Sequence, residues 1–349
     1  MNLSAKEISG LPTIIDVLEL LAERENVRRI TNSKELHTWK MLEEGYYMPV
    51  SADFNRSLVQ LLPTGPYYGM CYRGQNRFYE KCVPTLFRKR SIEERALSRL
   101  KANEFQLQVL THPVVQKLMD HGIAINLEAL SQHYGFDTNR LDVTNDKWVA
   151  AFFATTCFHD GKYQPVDRDF GEGFGVIYTS KPHITPMDSE FSELMTRLDS
   201  IGFQFFPRPT SQSAYGLLIN EEENFEEFPF FEKILFRHDK RASDWVYEIS
   251  YRQRKYFPMD SLTQLAELIA KDNVISYEAI RCCQQNDYPT MSIDDLTTLC
   301  MNKGFQVQRG SKYTFPDEVK NTELEEWNKY GEHELEYRML PPRFIHVGS

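Results

Sequence analysis

The sequence predicts an α+β fold: a central mixed or antiparallel sheet with one buried helix and further helices flanking it. Three observations carry that expectation. Extended runs cluster in the middle of the chain, helical patterns with polar caps lie on either side, and no βαβ alternation suggests a doubly wound sheet.

Taken in order, residues 13–25 carry Ile14, Ile15, Val17, Leu18, Leu20 and Leu21, an amphipathic helix that serves as an N-terminal cover. An apolar run over 67–72 leads into the extended tetrapeptide Tyr72-Arg73-Gly74-Gln75. Ser91 with Glu94 spells a capping box ahead of a helix to about Leu110, and Asn126 caps a short helix ending at Gly135. Residues 141–144 read as extended. Asn145 then caps a helix over 147–158 that is apolar nearly all round, from Trp148 to Ala154, and so is expected at the centre of the fold. Residues 160–175, rich in Gly, Asp and Pro, read as a loop. Strands follow at 174–178, 201–206, 214–219 and 233–236. From Ser243 the pattern turns helical: Ser243, Asp260 or Ser261, Ser276 and Ser292 each precede a helical stretch, the last ending at Gly304. No internal repeat and no low-complexity segment interrupts this order.

At 349 residues the chain is either one enlarged domain or two closely packed ones. The expected division is a helical cover at 1–60, a core at 61–240, a helical part of the same domain or a second subdomain at 241–318, and a tail at 319–349. With 41% hydrophobic and 13% aromatic residues it is globular. No apolar run reaches the roughly 18 residues of a membrane span and the first dozen residues do not form a leader, so a cytoplasmic protein with no membrane partner is expected. Six cysteines without a C-x-x-C pair read as reduced thiols, mostly buried; the vicinal pair Cys282-Cys283 is read as packing. The net charge of −10 argues against broad nucleic-acid binding while leaving room for a local basic pocket. The acidic stretch 221–227 is a solvated flank. His112, His121, His133 and the cysteines miss the standard ligand spacings, so no metal is expected, and no G-x-S-x-G elbow supports a serine hydrolase.

Two segments concentrate chemistry. In an extended Tyr72-Arg73-Gly74-Gln75, Arg73 and Gln75 share one face and Tyr72 and Gly74 the other. The guanidinium fork suits phosphate or carboxylate, and the glycine lets a backbone or ligand approach closely. The alternative is a plain strand end with a surface ion pair. In the second segment, 131–154, Gln132, His133 and Tyr134 close one helix, and Asp142 and Thr144 share a face opposite Leu141 and Val143. The next helix start offers backbone N–H groups to an anion. Taken alone, His133 reads as a structural histidine and Thr144 as a turn or cap residue.

Together, Tyr72-Arg73-Gly74-Gln75, Pro84-Thr85-Leu86-Phe87-Arg88, Gln132-His133-Tyr134-Gly135, Thr138, Leu141-Asp142, Thr144 and the helix from Val149-Ala150 to Phe153-Ala154 resemble the FRG domain, a bacterial and phage module. The likeness spans roughly residues 65–155 and continues weakly through Arg208 and Gln212, which fit an Arg-then-Gln strand motif, towards Phe315-Pro316-Asp317. Where the family commonly has Thr-Arg-Leu-Leu-Asp-Trp-Thr, this chain has Thr138-Asn139-Arg140-Leu141-Asp142-Val143-Thr144, so Asp142 and Thr144 carry over but Arg140 does not. The motif order is in turn similar to that of arginine-type ADP-ribosyltransferases. That resemblance implies an ADP-ribosyltransferase-like core with Arg73 on the cofactor's diphosphate, Thr144 supporting the nicotinamide side, and a third group at the ribosyl cation. The third group is Gln212, or else Glu336 within Glu334-Leu335-Glu336, which looks like the Glu-x-Glu strand of those enzymes ahead of Pro341-Pro342. Tyr72, Gln75, His133, Tyr134, Thr138, Asp142 and Arg208 complete the implied ligand set. The implied function is an NAD- or nucleotide-using effector in bacterial conflict or phage defence. The alternative is a non-catalytic module that binds a nucleotide or a protein partner, which a glutamine in place of a carboxylate favours.

Overall fold

The computed structural model describes residues 3–35, 47–53, 58–63, 70–89, 91–181 and 189–338. Tyr67, at the start of the apolar run, and Pro341-Pro342, with the rest of the predicted proline-containing tail segment, lie outside the described residues.

In chain order the strands are β1 (Tyr47–Asp53), β2 (Leu58–Pro63), β3 (Tyr72–Gln75), β4 (Ile123–Ala124), β5 (Arg140–Thr144), β6 (Thr156–His159) and β7 (Lys162–Pro165). They continue as β8 (Phe174–Ser180), β9 (Leu198–Ser200), β10 (Ala214–Leu218), β11 (Phe231–Arg237), β12 (Val274–Ser276) and β13 (Gln306–Gln308). Six of them form the central sheet in the order β11-β8-β3-β5-β10-β9, every neighbouring pair antiparallel. Helices surround it, and the fold is α+β. β1, β2 and β4 make a small second sheet, and β12 and β13 pair in parallel.

The helix Lys147–Thr155 lies across one face of the central sheet, as its all-round apolar composition demands: Val149, Ala150, Ala151, Phe152 and Ala154 are each at most 1% exposed. It shares a core with Ile14, Val17, Leu18 and Leu21 of the helix Ile14–Glu35, and with Tyr72, Ile177, Phe236 and Tyr256. On the other face Leu141, Val143, Val176, Tyr178 and Leu217 pack against Phe225, Phe228 and Phe230. Central β8 is therefore buried along its whole length. Gly74 faces the helix. A Cβ there would sit 1.8 Å from the Ala150 carbonyl oxygen, so helix and strand backbones meet at the one position where no side chain intervenes.

Local signals place many elements where the sequence expects them. The Ser91/Glu94 capping box opens Ile92–Val109, Asn126 caps Leu127–His133, and Asp260, Ser276 and Ser292 cap the helices Ser261–Lys271, Tyr277–Asn286 and Ile293–Asn302. All six cysteines are free thiols. Among the described residues no helix is long and apolar enough to cross a membrane.

Other expectations are corrected. The N-terminal helix runs on to Glu35, and β1 and β2 pair antiparallel within and just beyond the stretch expected to be a helical cover. Asp146, not Asn145, caps the buried helix, its carboxylate accepting from the Trp148 N–H at 2.8 Å. That helix stops at Thr155, where Thr156 takes extended backbone geometry (φ −128°, ψ 155°) into β6, and the Thr155 and Thr156 hydroxyls donate to the Ala151 and Phe152 carbonyls of the last turn. The expected loop begins instead with a hairpin, β6 to β7, turning at Asp160-Gly161, both at positive φ as a tight Asp-Gly turn requires. The strand expected at 201–206 is displaced to β9, since Gly202 takes φ +87° and breaks the extended run. Ser243 lies inside Lys240–Ile249, which Asp239 caps. Arg208 and Gln212 are not on a strand: Pro207 opens a short helix, Pro207–Ser211, that Gln212 closes. Glu334 and Glu336 are not on a strand either. Trp327, Gly331 and Leu335, four residues apart, are all buried, which is a helical period, and the acidic pair rides on the helix Glu332–Arg338.

Candidate functional site

β3 and β5 are neighbours in the central sheet, yet only Tyr72 and Thr144 are paired across them. β3 stays bonded to β8 along all four residues, and β5 to β10 along all five, so the sheet parts between its two halves. A cavity of about 420 Å3 opens in the split. At the fork the Arg73 side chain takes over from backbone pairing, Nη1 donating to the Asp142 carbonyl at 2.7 Å.

Register fixes which residues meet there. Tyr72 lies directly opposite Thr144, so these two share the helix-bearing face, and Asp142 goes with Thr144. Arg73 lies opposite Tyr178 and Gln75 opposite Val176, which places them on the other face. The two predicted pairs thus come from opposite faces, and they line one cavity because the strands separate.

Several polar atoms at the cavity are buried without a hydrogen-bond partner among the described residues: Arg73 Nε, Gln75 Oε1 and His133 Nε2. Gln75 is held by a bond from Nε2 to the Cys82 sulfur at 3.1 Å. His133 Nδ1 lies 3.3 Å from Gln212 Oε1 and 3.9 Å from the half-exposed Asp142 carboxylate. Burial holds its imidazole below the ordinary histidine value; Asp142 and Gln212 pull the other way and Arg208 adds to the lowering. Among the described residues the charged side chains lining the cavity are Arg73, Arg88 and Asp142, a cationic balance in a chain of net charge −10.

Thr144 lines the cavity, but its hydroxyl is engaged, donating to the Gln212 carbonyl at 2.8 Å and accepting from the Asp146 N–H at 3.0 Å. Gln212 also reaches the wall, with both ends of its amide in use, Nε2 donating to the Tyr256 carbonyl at 2.9 Å. Tyr72 contributes to the wall while its hydroxyl bonds Glu25 at 2.7 Å. Four predicted residues lie outside the lining. Tyr134 bonds Asp260 at 2.7 Å; Thr138 bonds Gln132; Arg208 stacks over the Tyr134 and Phe257 rings; Glu336 is exposed on its helix. The N-terminus of the buried helix is already served by the Asp146 carboxylate, which argues against the anion site expected there.

An aromatic side of the site escaped the sequence reading. Phe153, Phe158, Tyr163 and Tyr79 line the cavity, Tyr163 stacking on Phe257 with centroids 4.9 Å apart. Burial first, then the Asp142 charge, pushes the Tyr163 hydroxyl up to about 12, with Arg208 opposing. Phe158, 64% exposed, and Tyr163 stand on the β6–β7 hairpin, and the available signal was Asp160-Gly161, the dipeptide of a tight hairpin turn.

An α+β domain with a cationic, aromatic-walled cavity at a split in its sheet is thus the class that fold and site define. Residues 69–162 match the family model described as FRG domain, and the chain carries an FRG domain there. No curated protein and no solved structure matches the chain. The matched segment includes Arg73, Gln75, His133, Asp142 and Thr144, whereas Tyr163 and Gln212 come from beyond it.

Proposed function

We propose that the cavity binds a nucleotide, NAD or a fragment of it, and that the protein is an ADP-ribosyltransferase-like enzyme acting as an effector in bacterial conflict or phage defence. The observation that carries the binding half is the set of unpaired buried atoms, Arg73 Nε, Gln75 Oε1 and His133 Nε2, around one cavity of about 420 Å3. That volume falls in the usual range for small-molecule sites. A guanidinium donor suits a diphosphate, and the Phe153, Phe158 and Tyr163 rings suit a planar base. For the transfer chemistry the carboxylate in the cavity is Asp142, and a carboxylate there stabilises a developing ribosyl cation. Gln212 and Glu336, the sequence candidates for that role, fit it less well, one with its amide fully engaged and the other outside the lining.

The test is labelled NAD incubated with the protein and a cell lysate, following nicotinamide release and label transfer. Activity is expected in the wild type and in Glu336→Gln, and its loss in Arg73→Ala and Asp142→Asn. Equal absence from folded wild type and Arg73→Ala defeats the enzymatic reading. The engaged Gln212 amide favours a second reading, a non-catalytic module for a nucleotide or a protein partner. Calorimetric binding of NAD without turnover supports that reading for a nucleotide; absence of both leaves a protein partner.

A further inference from the structure

His133 is 6% exposed, lines the cavity, and has one nitrogen with no partner among the described residues. Which nitrogen carries the proton follows from its neighbours. The Gln212 amide can face only one way, because its Nε2 lies 2.9 Å from the Tyr256 carbonyl oxygen and the reverse orientation would set two oxygens against each other. Gln212 therefore presents Oε1 to His133 Nδ1, and the Asp142 carboxylate lies on the same side of the ring. Two oxygens beside Nδ1 require a proton there. The ring is neutral, since burial disfavours its cation, so Nε2 keeps a lone pair. Gln75 brings a further polar atom to the wall, one end of its amide resting on the Cys82 sulfur and the other end left over.

We propose that His133 Nε2, fixed as an acceptor by the Tyr256–Gln212 relay, reads a sugar hydroxyl of the bound nucleotide, with the Gln75 amide as a second polar contact and Arg73 on the adjoining phosphate. The inference rests on the nucleotide-site reading and adds to it a required donor: a polyhydroxylated phosphate fits the site better than a bare anion. Gln212 is a positioning residue, holding the histidine tautomer through its side chain. A buried acceptor left unpaired penalises any ligand that brings no donor.

The experiment compares ADP-ribose with inorganic pyrophosphate by calorimetry, and follows the His133 ring nitrogens by 15N NMR in the wild-type protein. At neutral pH Nδ1 is expected to be protonated and Nε2 not. ADP-ribose should move the Nε2 resonance in the direction of hydrogen-bond acceptance, and pyrophosphate should leave it in place. In folded His133→Phe, ADP-ribose affinity should fall about tenfold, the worth of one such bond, with pyrophosphate affinity unchanged. Gln212→Leu should let the two tautomers mix. A wild-type protein that binds ADP-ribose with Nε2 protonated, or with its resonance unmoved at saturation, overturns the proposal while leaving the nucleotide site standing. Binding of neither ligand overturns both.

Discussion

Replacing Gly74 by alanine tests how tightly the buried helix is seated on the strand that carries Arg73. The added Cβ would lie 1.8 Å from the Ala150 carbonyl oxygen, 2.7 Å from the Ala150 carbonyl carbon and 3.0 Å from the Ala154 nitrogen, all backbone atoms that no rotamer change can move. Real Cβ contacts essentially stop at 3.0 Å, so helix and strand must separate by about 1.2 Å. Overpacking ordinarily costs ~1–3 kcal/mol, and a clash with backbone belongs at or above the top of that range, about 3–5 kcal/mol. At roughly 2–4 °C per kcal/mol for a domain of this order, the melting temperature should fall by about 10 °C. On the nucleotide-site proposal, affinity for NAD should fall with it, because Val149, Ala150 and Phe153 of the displaced helix line the cavity. Thermal unfolding followed by circular dichroism measures the first effect and calorimetry the second. Gly10→Ala is the control: Gly10 has φ −84° and its nearest atoms would be at 3.5 and 3.7 Å, so its melting temperature should hold or rise slightly. A Gly74→Ala melting temperature within about 2 °C of wild type would refute the packing argument.

Thr144→Val should destabilise the protein by about 1–3 kcal/mol in urea titrations, since it strands the Gln212 carbonyl and the Asp146 N–H, while Thr144→Ser should preserve both bonds and the stability. Arg99→Ala should cost about 3 kcal/mol by the same assay, because the buried guanidinium pairs with Glu128 at 2.6 Å and Asp287 at 2.9 Å, and its loss leaves Asp287 with the neutral Asn103 amide and Glu128 with Gln106 and the more distant Arg140 at 3.4 Å. His133 and His238 are both held below the ordinary histidine value, chiefly by burial, so on acidification the unfolded chain takes up protons that the folded one refuses. Their stabilising contribution is complete above the unfolded value, about 6.5, and is lost as pH falls through it towards the lowered folded values. Thermal scans from about pH 8 to about pH 5 should show that loss, with a shallower slope in His133→Phe; equal slopes would count against a neutral buried His133.

What the sequence made legible here was local. Caps at Ser91, Asn126, Asp260, Ser276 and Ser292 are decided by residues within one helical turn, and the buried helix by its own composition. The alternation rule paired Arg73 with Gln75, and Asp142 with Thr144, because side-chain direction in a strand depends only on parity. The helix end at Thr155, by contrast, turns on Thr156 entering the β6–β7 hairpin, and the helical state of Glu334 and Glu336 on Trp327, Gly331 and Leu335 finding a core. Neither choice is encoded in a window of a few residues.

The cavity itself is a longer-range case still. Parity assigns faces within a strand, whereas the site depends on β3 and β5 sharing a single residue pair before they part. A fully paired β3–β5 ladder would have left Arg73 and Asp142 on opposite faces of a closed sheet. Their meeting in one cavity requires the Arg73 guanidinium to reach the Asp142 carbonyl where the next ladder bond would have been. Residues with their polar atoms spent and residues with one left over are likewise distinct at the fork. Thr144 and Gln212 sit at the fork and spend their polar atoms keeping it in shape, whereas Arg73, Gln75 and His133 each keep one buried atom unpaired beside the opening. An unpaired buried polar atom is costly in a folded protein, and on the nucleotide-site proposal the bound ligand would complete these three.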